Sequence, residues 1–546
     1  MRKKRILWVN EASWKNTGYS IYGREVLARL NKIEEFEVAE LATYSDQKGL
    51  NENPREWKCY PNMPEKDSES YGTYLSSASS IFGDWSFNHV CLDFKPDIVM
   101  DIRDWWMLEY QQRSAFRDFY HWSIMPTVDA EPQNIQWINT FASADSVMAY
   151  SEFGRDTMLK QCDNINFIDV ASPAASSAFT PASNKSQHKE SMGLDSDALI
   201  VGTVMRNQRR KLYPDLFKSF RQYLDKTKRS DVFLYCHTYY PDIGWEIPTL
   251  LDKFKLNNRV LFSYRCKECG DVSVGFYQGV ASYCKKCNSF NRHLVGIENP
   301  IDEHELNKIY NLFDIYVQYA NSEGFGMPQL EAAYAGVPVI STNYSAMESV
   351  IKNIGGVGID PLALSVECET GCYRAVPDNN TFVDILEIFV NNKNNLELYG
   401  KMQSAAARKH YDWDKTAQIW IDHFRTVPMK DWSETWLSPP KIKTPATSMP
   451  SEINDTIDQV NYIFNQVLHK PEWIGNYLWS KTIKDVTFGY RVQNLDHDVY
   501  FNESHMPNVD RYQKFQFAEA AIEFSNLRDM WNKWEMQRLQ MVESLK

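Results

Sequence analysis

The chain has 546 residues, 43% of them apolar and 14% aromatic, which is enough for two ordinary domains and a smaller additional unit. Lys and Arg number 59 against 71 Asp and Glu, and this net charge of −12 argues against general nucleic-acid coating or charge-driven membrane adhesion. No apolar run approaches the length of a bilayer span, and the one after the basic start is too short for a signal peptide. We therefore expect a cytoplasmic protein.

Residues 1–181 alternate short apolar runs with amphipathic ones, which predicts an N-terminal Rossmann-like domain built on a parallel sheet covered by helices. Ligands of such sheets bind beyond the carboxyl ends of the strands. Polar segments fall at three of these predicted ends, namely 16–18, 101–106 and 129–132. Gly18 and Asp129 are therefore candidate ligand contacts, although Asp129 is equally compatible with capping a turn before a proline.

A polar, Ser-rich stretch at 182–196 is typical of a linker, and alternating elements resume in a predicted C-terminal Rossmann-like domain at 197–438. A predicted strand ending at Val204 is followed closely by three arginines and one lysine. Guanidinium and ammonium groups at a strand end suit a diphosphate, although a solvated basic loop would have the same composition. The four cationic residues are Arg206, Arg209, Arg210 and Lys211.

Residues 321–347 follow a predicted strand and read as a glycine loop, a helix and another strand. Glu323 lies in the loop, and Glu331 lies eight positions later in the helix that Pro328 is suited to begin. Backbone N–H groups at a helix start attract anions, and nearby carboxylates can accept hydrogen bonds from sugar hydroxyls. The pattern suits a ligand with phosphate and sugar, although two solvated glutamates in an ordinary connection would look the same.

The sequence from Glu323 to Glu331 is EGFGMPQLE, and it is followed by AGVPV at 335–339. This segment resembles the E-x(7)-E signature of retaining glycosyltransferases of the GT-B fold, family 4, and the resemblance extends over roughly residues 5–425 outside one insertion. It implies an α/β fold with two Rossmann-like domains facing each other across a cleft. It also implies transfer of a hexosyl or pentosyl group from a nucleotide-diphosphate sugar, with a UDP-sugar as the expected donor.

The resemblance assigns donor-binding roles mainly to the second domain. Arg206 and Lys211 match the family's phosphate-binding pair and are expected to neutralise the diphosphate. Glu323 is expected to accept hydrogen bonds from the donor sugar, and Glu331 from the ribose of the nucleotide. One glycine of the first domain and the loop after Glu323 complete the expected donor-binding set, which adds Gly18, Gly324, Phe325 and Gly326.

Asp129 lies in the segment VDAEP at 128–132, where the family often places a histidine or aspartate facing the donor sugar and the acceptor. The resemblance therefore gives Asp129 a catalytic role, in supporting positive charge at the anomeric carbon, beside Glu323, Arg206 and Lys211. It implies attack from the leaving-group face, so neither a covalent nucleophile nor a D-x-D metal motif is expected. The segment SPAA at 172–175 departs from the family pattern, which puts contacts from that loop in doubt.

Two C-x-x-C pairs interrupt the second domain, with fourteen residues between them. Their four thiolates match the tetrahedral ligand set of a structural zinc ion, which predicts a zinc ribbon at 264–291 with no open catalytic position. A redox role would need a single pair in a thioredoxin-like context, which the sequence lacks. The predicted metal ligands are Cys266, Cys269, Cys284 and Cys287.

Residues 252–293, around the ribbon, hold eight Lys and Arg against three Asp and Glu, with interleaved aromatic residues. This composition favours nucleic-acid contact, although the aromatics could equally form the ribbon's own core. The ribbon and the segments WVNEAS, VDAEP, EGFGMP and YSAM together resemble bacteriophage-encoded glycosyltransferases. That resemblance implies a hydroxymethylated pyrimidine in phage DNA as acceptor, in the host cytoplasm. The alternatives are a surface polysaccharide or glycolipid acceptor, and a catalytically dead nucleic-acid-binding protein.

A linker with Pro, Thr, Ser and Lys at 439–450 precedes residues 451–546, which are predicted to form a mainly helical C-terminal extension. The last part of the extension has apolar side chains at helical spacing, which favours packing against the body of the protein. These side chains are Phe517, Ala521, Phe524, Leu527, Trp531 and Trp534. The extension has no internal repeat and no catalytic motif.

Overall fold

The structure is a computed structural model that describes residues 2–114, 116–432, 434–436, 477–482, 487–492 and 499–501. The strands of its first sheet are β1 (Lys4–Glu11), β2 (Phe36–Thr43), β3 (Lys58–Pro61), β4 (Ile98–Asp101), β5 (His121–Ile124), β6 (Ser146–Ala149) and β7 (Phe167–Val170). They run in the order β3-β2-β1-β4-β5-β6-β7, and every neighbouring pair is parallel. The sequence prediction of a parallel sheet in this part of the chain is therefore confirmed.

The α-helices of this first domain are α1 (Gly18–Leu30), α2 (Gln47–Glu52), α3 (Tyr71–Leu75), α4 (Trp85–Phe94), α5 (Trp105–Leu108), α6 (Ile135–Ser143) and α7 (Glu152–Gln161). Helix α1 begins directly after the polar loop that follows β1, because the Thr17 side chain accepts a hydrogen bond from the Ser20 N–H at 3.3 Å. The amino end of α1 consequently lies at the carboxyl edge of the first sheet.

Helix α8 (Lys185–Ser191) precedes the second sheet. The strands of this sheet are β8 (Leu199–Val204), β9 (Val232–His237), β10 (Val260–Cys266), β11 (Val272–Phe276), β12 (Ala281–Cys284), β13 (Ser289–Leu294), β14 (Ile315–Gln318), β15 (Val339–Thr342) and β16 (Val357–Ile359). Six of them form a parallel core in the order β10-β9-β8-β14-β15-β16. The other three are antiparallel additions: β11 and β13 pair with β10, and β12 pairs with β13. They belong to the segment with the cysteine pairs.

The helices after β8 are α9 (Tyr213–Thr227), α10 (Ile247–Lys253), α11 (Glu303–Tyr310), α12 (Met327–Tyr334), α13 (Ala346–Ile354), α14 (Asn379–Asn391), α15 (Leu396–His410) and α16 (Trp413–Thr426). Every residue of β8 and β14 is buried, as expected for strands of a parallel sheet with both faces covered. The apolar runs in the sequence therefore correspond to the central strands of two α/β layers.

Helix α16 lies within the range predicted for the second domain, but it packs on the first. Trp420 donates a hydrogen bond from Nε1 to the Tyr22 hydroxyl at 2.7 Å, and its ring meets that of Trp8 edge-on at a centroid distance of 5.6 Å. Both tryptophans are fully buried. The chain thus returns to the first domain after completing the second, because the apolar face of α16 finds its partners on α1 and β1.

A two-stranded antiparallel hairpin, β17 (Pro361–Val366) and β18 (Tyr373–Pro377), is inserted between β16 and α14. The sequence did not predict it. The Ala375 N–H donates to the Asn321 carbonyl at 3.0 Å, and the Tyr373 N–H donates to the Glu131 carbonyl of the first domain at 2.8 Å. The hairpin therefore touches both domains at the cleft.

Beyond residue 436, the structure describes three antiparallel strands, β19 (Tyr477–Thr482), β20 (Thr487–Val492) and β21 (Val499–Phe501). The stretch with helical spacing between Phe517 and Trp534 lies outside the described residues. Among the residues that are described, no helix combines the length and the apolar character needed to cross a membrane.

Candidate functional site

A buried ion pair between Lys211 and Glu323 lies at the carboxyl edge of the second sheet. Lys211 forms a backbone bridge with Ala320, which sets the loop after β8 beside the loop after β14. The Lys211 ammonium contacts Glu323 Oε1, which also accepts from Gln318 Nε2 at 2.7 Å, and Arg210 Nη2 lies 3.6 Å from Glu323 Oε2. Burial and the Arg210 guanidinium lower the pKa of Lys211. Two of the predicted site residues therefore meet directly.

Ser345, a residue without a predicted role, holds the backbone of Glu323 in place. Its Oγ accepts from the Glu323 N–H at 2.9 Å and donates to the Glu323 carbonyl at 3.2 Å. Ser345 has a φ of +55°, a left-handed conformation that is uncommon for a residue with a side chain. The only sequence signal was its position in the segment YSAM, directly before α13.

The predicted loop residues after Glu323 have three different environments. Gly324 touches the first domain, since a Cβ built on it would lie 2.4 Å from Thr127 Cγ2. Phe325 is buried, and its ring packs edge-on against Tyr411 at a centroid distance of 5.5 Å. Gly326 has a φ of +86° and precedes α12, so the turn into this helix favours glycine. The Phe325 ring is thus part of the core.

Glu331 lies in α12 and is buried. Its Oε2 accepts a hydrogen bond from the Tyr310 hydroxyl at 2.7 Å. Burial raises the pKa of Glu331 to about 7, despite this hydrogen bond, which acts in the opposite direction. A carboxyl group with such a pKa changes its charge near neutral pH, which is common among groups that bind or react with ligands.

Asp129 reaches from the first domain to the second. It follows β5, and its Oδ2 accepts from Arg374 Nη1 at 2.8 Å and from Ser322 Oγ at 3.3 Å. Ser322 immediately precedes Glu323, so the predicted residues of the two domains face each other across the cleft. Arg374 lies on the unpredicted hairpin, and no pattern in the sequence connects it with Asp129.

Three further residues of the first domain extend this cluster. The hydroxyls of Tyr19 and Thr127 are 2.7 Å apart, and both interact with the carboxyl group of Asp104. Burial and the neighbouring Asp129 carboxylate raise the pKa of Asp104 to about 6, while Arg210 of the second domain opposes that shift. The sequence predicted a ligand-binding strand end at residues 101–106, which include Asp104, but indicated no role for Asp104 itself.

Arg206 and Gly18 lie in more open positions. Arg206 is exposed and makes a two-point ion pair with Asp242, at 2.9 Å from Nε and 3.0 Å from Nη2. Arg210, rather than Arg206, is the arginine beside Glu323. Gly18 begins α1, and a Cβ built on it would meet no atom within 4 Å. The donor-binding roles of Arg206 and Gly18 therefore stay predictions.

The four predicted metal ligands are brought together, with all their Sγ atoms within 4.8 Å of one another. Cys266 Sγ lies 3.5 Å from Cys287 Sγ, and Cys269 Sγ lies 3.8 Å from Cys284 Sγ. Sulfurs around a tetrahedral ion with metal–sulfur bonds of about 2.3 Å would be about 3.8 Å apart. Hydrogen bonds from the backbone at Cys269 and Glu268 lower the pKa of Cys266 to about 6. The cluster is therefore compatible with a metal ion.

The cysteine segment projects from the same edge of the second sheet that carries Lys211. In the sheet register Phe262 of β10 lies level with Cys236 of β9, which lies level with Thr203 of β8. Cys266 is four residues further along β10, about 13 Å beyond that level, and β10 is two strands, about 10 Å, from β8. The metal site therefore lies beside the cleft and not within it.

The tip of this segment has exposed aromatic and basic side chains. The pairing of β12 with β13 is interrupted by a β-bulge at Tyr283. The side chain of Tyr283 is 51% exposed, and that of Phe290 in β13 is 69% exposed. Lys267 and Lys285 are also exposed, whereas Lys286 is paired with Asp271 at 2.7 Å. Part of the predicted basic and aromatic character is thus available to a partner.

A family model described as "Glycosyl transferases group 1" matches residues 284–365, which include the Glu323–Glu331 segment. No curated protein sequence matches the chain. The fold is similar to that of sucrose-phosphate synthase from Thermosynechococcus elongatus, with 15% identity, a TM-score of 0.54, and coverage of 78% of this chain and 99% of that chain.

HepE from Anabaena, solved in complex with UDP and glucose, has 11% identity and a TM-score of 0.55, over 78% of this chain and all of its own. WaaG, a glycosyltransferase involved in lipopolysaccharide biosynthesis, has 10% identity and a TM-score of 0.51, over 77% of this chain and 100% of its own. These likenesses establish the architecture of two Rossmann-like domains. The chain therefore has the GT-B fold of glycosyltransferases, and its second domain contains a segment of the group 1 type.

Proposed function

We propose that this protein is a retaining, family 4-like glycosyltransferase that transfers a sugar from a nucleotide-diphosphate sugar to an acceptor hydroxyl. The observation that carries the proposal is the position of the Lys211–Glu323 pair opposite Asp129 in the cleft. A cation suits the leaving diphosphate, one carboxylate suits the hydroxyls of the donor sugar, and the other lies on the acceptor side. The complex of HepE with UDP and glucose supports a UDP-sugar as donor.

In the proposed reaction the bond between the anomeric carbon and the diphosphate oxygen breaks, and the acceptor oxygen bonds to the same face of that carbon. The acceptor proton passes to the leaving diphosphate. Lys211 and Arg206 neutralise this diphosphate, which requires Arg206 to exchange Asp242 for a phosphate oxygen. Asp129 supports the positive charge that develops at the anomeric carbon.

The remaining predicted donor contacts fit this arrangement. Glu331 accepts hydrogen bonds from the ribose, and the backbone at the amino end of α12 offers N–H groups to the ligand. The small Gly18 leaves room for the diphosphate at the start of α1, because no described atom lies within 4 Å of its would-be Cβ. The glycine loop from Gly324 to Gly326 allows the chain to pass close to both the ligand and the first domain.

The four-cysteine cluster is proposed to bind a structural zinc ion. Four thiolates leave no open coordination position, so the ion would stabilise the ribbon and take no part in sugar transfer. Ser289 Oγ lies 3.1 Å from Cys287 Sγ and supplies a polar neighbour to the ligand set.

The preferred acceptor is a hydroxymethylated pyrimidine in phage DNA, modified in the cytoplasm of the host. This proposal is supported by the exposed aromatics Tyr283 and Phe290 and the exposed lysines Lys267 and Lys285 on a ribbon beside the cleft. Bases stack on aromatic rings, and lysines attract the phosphate backbone. The ribbon would hold the nucleic acid while one base enters the cleft.

A glycolipid or surface polysaccharide is the second candidate acceptor, and one observation favours it. Strand β17 exposes three apolar side chains on alternate positions beside the cleft, Leu362 at 72%, Leu364 at 46% and Val366 at 63%. Such a surface suits an acceptor with an apolar anchor, and the likeness to WaaG agrees with it. A catalytically dead DNA-binding protein is disfavoured, because the Lys211–Glu323 pair is intact.

The deciding experiment incubates the protein with a panel of nucleotide sugars and either hydroxymethylcytosine DNA, unmodified DNA or a bacterial lipid extract. Nucleoside and lipid mass spectrometry then identify the glycosylated product. Glu323→Gln is expected to lower transfer by about 100-fold or more, whereas Glu397→Gln, at an exposed position of α15, leaves it unchanged. Unaltered transfer in Glu323→Gln, or no transfer to any acceptor by the wild type, would refute the proposed function.

A further inference from the structure

Arg374 makes more contacts in the cleft than any of the predicted arginines. Its Nη1 donates to Asp129 Oδ2 at 2.8 Å and to Ser322 Oγ at 2.7 Å, and its Nη2 donates to Glu367 Oε2 at 2.7 Å. The side chain is only 11% exposed. One guanidinium therefore joins the first domain, the loop that leads to Glu323 and the neighbouring strand end of the hairpin.

The backbone around Arg374 is itself fixed on both sides. The Tyr373 N–H donates to the Glu131 carbonyl at 2.8 Å, and the Tyr373 carbonyl accepts from the Tyr344 hydroxyl at 2.8 Å. Arg374 lies opposite Ser365 in the hairpin, so the pairing of β18 with β17 also fixes its backbone. A side chain anchored in this way can hold its partner in one position.

The partner that Arg374 holds is the predicted acceptor-side carboxylate. Asp129 interacts with Asp104, and two carboxylates that share a site repel each other unless a cation lies beside one of them. Arg374 provides that cation through its hydrogen bond to Asp129 Oδ2. Ser322, bound to the same guanidinium, ties Asp129 to the loop that carries Glu323.

We infer that Arg374 is a positioning residue for the acceptor half of the site, which orients the Asp129 carboxylate relative to Glu323. This inference rests on the proposed function, and it adds a residue that lies outside every motif of the sequence. The hairpin β17–β18 is then part of the site, because Arg374 lies in its second strand. Loss of the guanidinium is expected to impair sugar transfer while the donor-binding residues of α12 and the Lys211 loop remain in place.

The test compares Arg374→Gln, Arg374→Lys, Asp129→Asn and the double variant Arg374→Gln with Asp129→Asn in the full chain. Arg425→Gln is the matched control, since Arg425 is a surface arginine of α16 paired with Glu35. Transfer is measured with the donor and acceptor that the wild type uses, and UDP binding is measured by calorimetry. These readouts separate the acceptor half of the site from the donor half.

Arg374→Gln is expected to lower kcat/KM for the acceptor by about 100-fold and to change the Kd for UDP by less than about twofold. Arg374→Lys keeps the positive charge but not the planar guanidinium that can bond to several partners at once. It is therefore expected to retain part of the kcat/KM that Arg374→Gln loses. The double variant is no slower than Asp129→Asn alone, because both changes remove one interaction.

Three results would overturn the inference. The first is an Arg374→Gln enzyme with wild-type kinetics, and the second is a loss of UDP affinity as large as the loss of turnover, which would indicate a general role in folding. The third is additive losses in the double variant. A wild type that transfers no sugar would instead refute the proposed function itself, so the two failures are distinguishable.

Discussion

Gly324 of the second domain and Thr127 of the first approach so closely that a Cβ on Gly324 would lie 2.4 Å from Thr127 Cγ2. Non-bonded carbon atoms normally lie about 3.5–4 Å apart. The requirement for glycine at this position therefore comes from a contact between two domains. The hydroxyl of the same threonine bonds to Tyr19 at 2.7 Å, so the contact extends into the polar cluster of the first domain.

Gly324→Ala is expected to push the two domains apart and to slow sugar transfer by about tenfold or more, because reacting groups tolerate little displacement. Gly72→Ala is the matched control, since a Cβ at that position meets no atom within 4 Å. Transfer rates of both variants provide the measurement. Wild-type transfer rates in Gly324→Ala would contradict this expectation, because they would mean that sugar transfer does not depend on the close approach of Gly324 to Thr127.

Glu331 is expected to make donor binding depend on pH around neutrality. Its pKa is raised to about 7, so the carboxylate that would bind the ribose forms as the pH rises through that value. UDP-glucose, whose diphosphate stays ionised over this range, is expected to bind about tenfold more tightly at pH 8 than at pH 6. Calorimetry on the wild type and on Glu331→Gln checks this, and an equal pH dependence in both proteins would contradict it.

Two histidines, the half-buried His121 and the buried His423, are expected to make the protein sensitive to acid. His121 and His423 both bond to Ser146 Oγ at 2.9 Å, between β5, β6 and α16. Burial lowers the pKa of each to about 4 from the ordinary value of 6.5. The unfolded chain therefore binds more protons between these values, and the stability that is present above pH 6.5 is lost as the pH falls toward 4.

Thermal unfolding midpoints between pH 4.5 and 7.5 measure this effect. The midpoint of the wild type should fall steeply below pH 6.5, and that of the double variant His121→Gln with His423→Gln should fall less. His410→Gln, at an exposed position at the end of α15, serves as the control and should follow the wild type. Parallel curves for the wild type and the double variant would exclude these histidines as the cause.

Metal analysis is expected to find one zinc ion per chain. Cys266→Ser together with Cys284→Ser should remove it, because each C-x-x-C pair then loses a thiolate. Cys368→Ser, at an exposed cysteine of the loop between β17 and β18, should retain it. Because the ion is proposed to be structural, its loss should lower the unfolding temperature of the ribbon before it affects UDP binding. A metal-free wild type would leave the cluster as four free thiols.

The exposed lysines of the ribbon are expected to contribute to DNA binding. Lys267→Glu with Lys285→Glu should weaken binding of hydroxymethylcytosine DNA strongly at low salt and less at high salt, since fewer counterions are released. Lys48→Glu with Lys401→Glu, at exposed positions of α2 and α15, reproduces the change in net charge outside the ribbon. Equal affinities of the two double variants would remove the support that the ribbon lends to a DNA acceptor.

Motifs within one structural unit were predictable from the sequence. Glu323 and Glu331 belong to one strand–loop–helix unit, where backbone geometry alone sets their separation. The cysteine cluster was predictable for the same reason, because two tight turns at a suitable spacing bring four sulfurs together. In each case the neighbours in space are close neighbours in the chain, so residue type and spacing contain the information.

Only the tertiary structure decided how the two halves of the cleft meet. Asp129 and Arg374 are 245 positions apart, and their contact depends on two sheets, a hairpin and the packing between domains. Ser345 and Asp104 acquire their positions in the same way, from loops that converge at strand ends. Sequence by itself therefore determined the donor-side motif and the cysteine cluster, whereas the opposing side of the site followed from long-range packing, which no local pattern encodes.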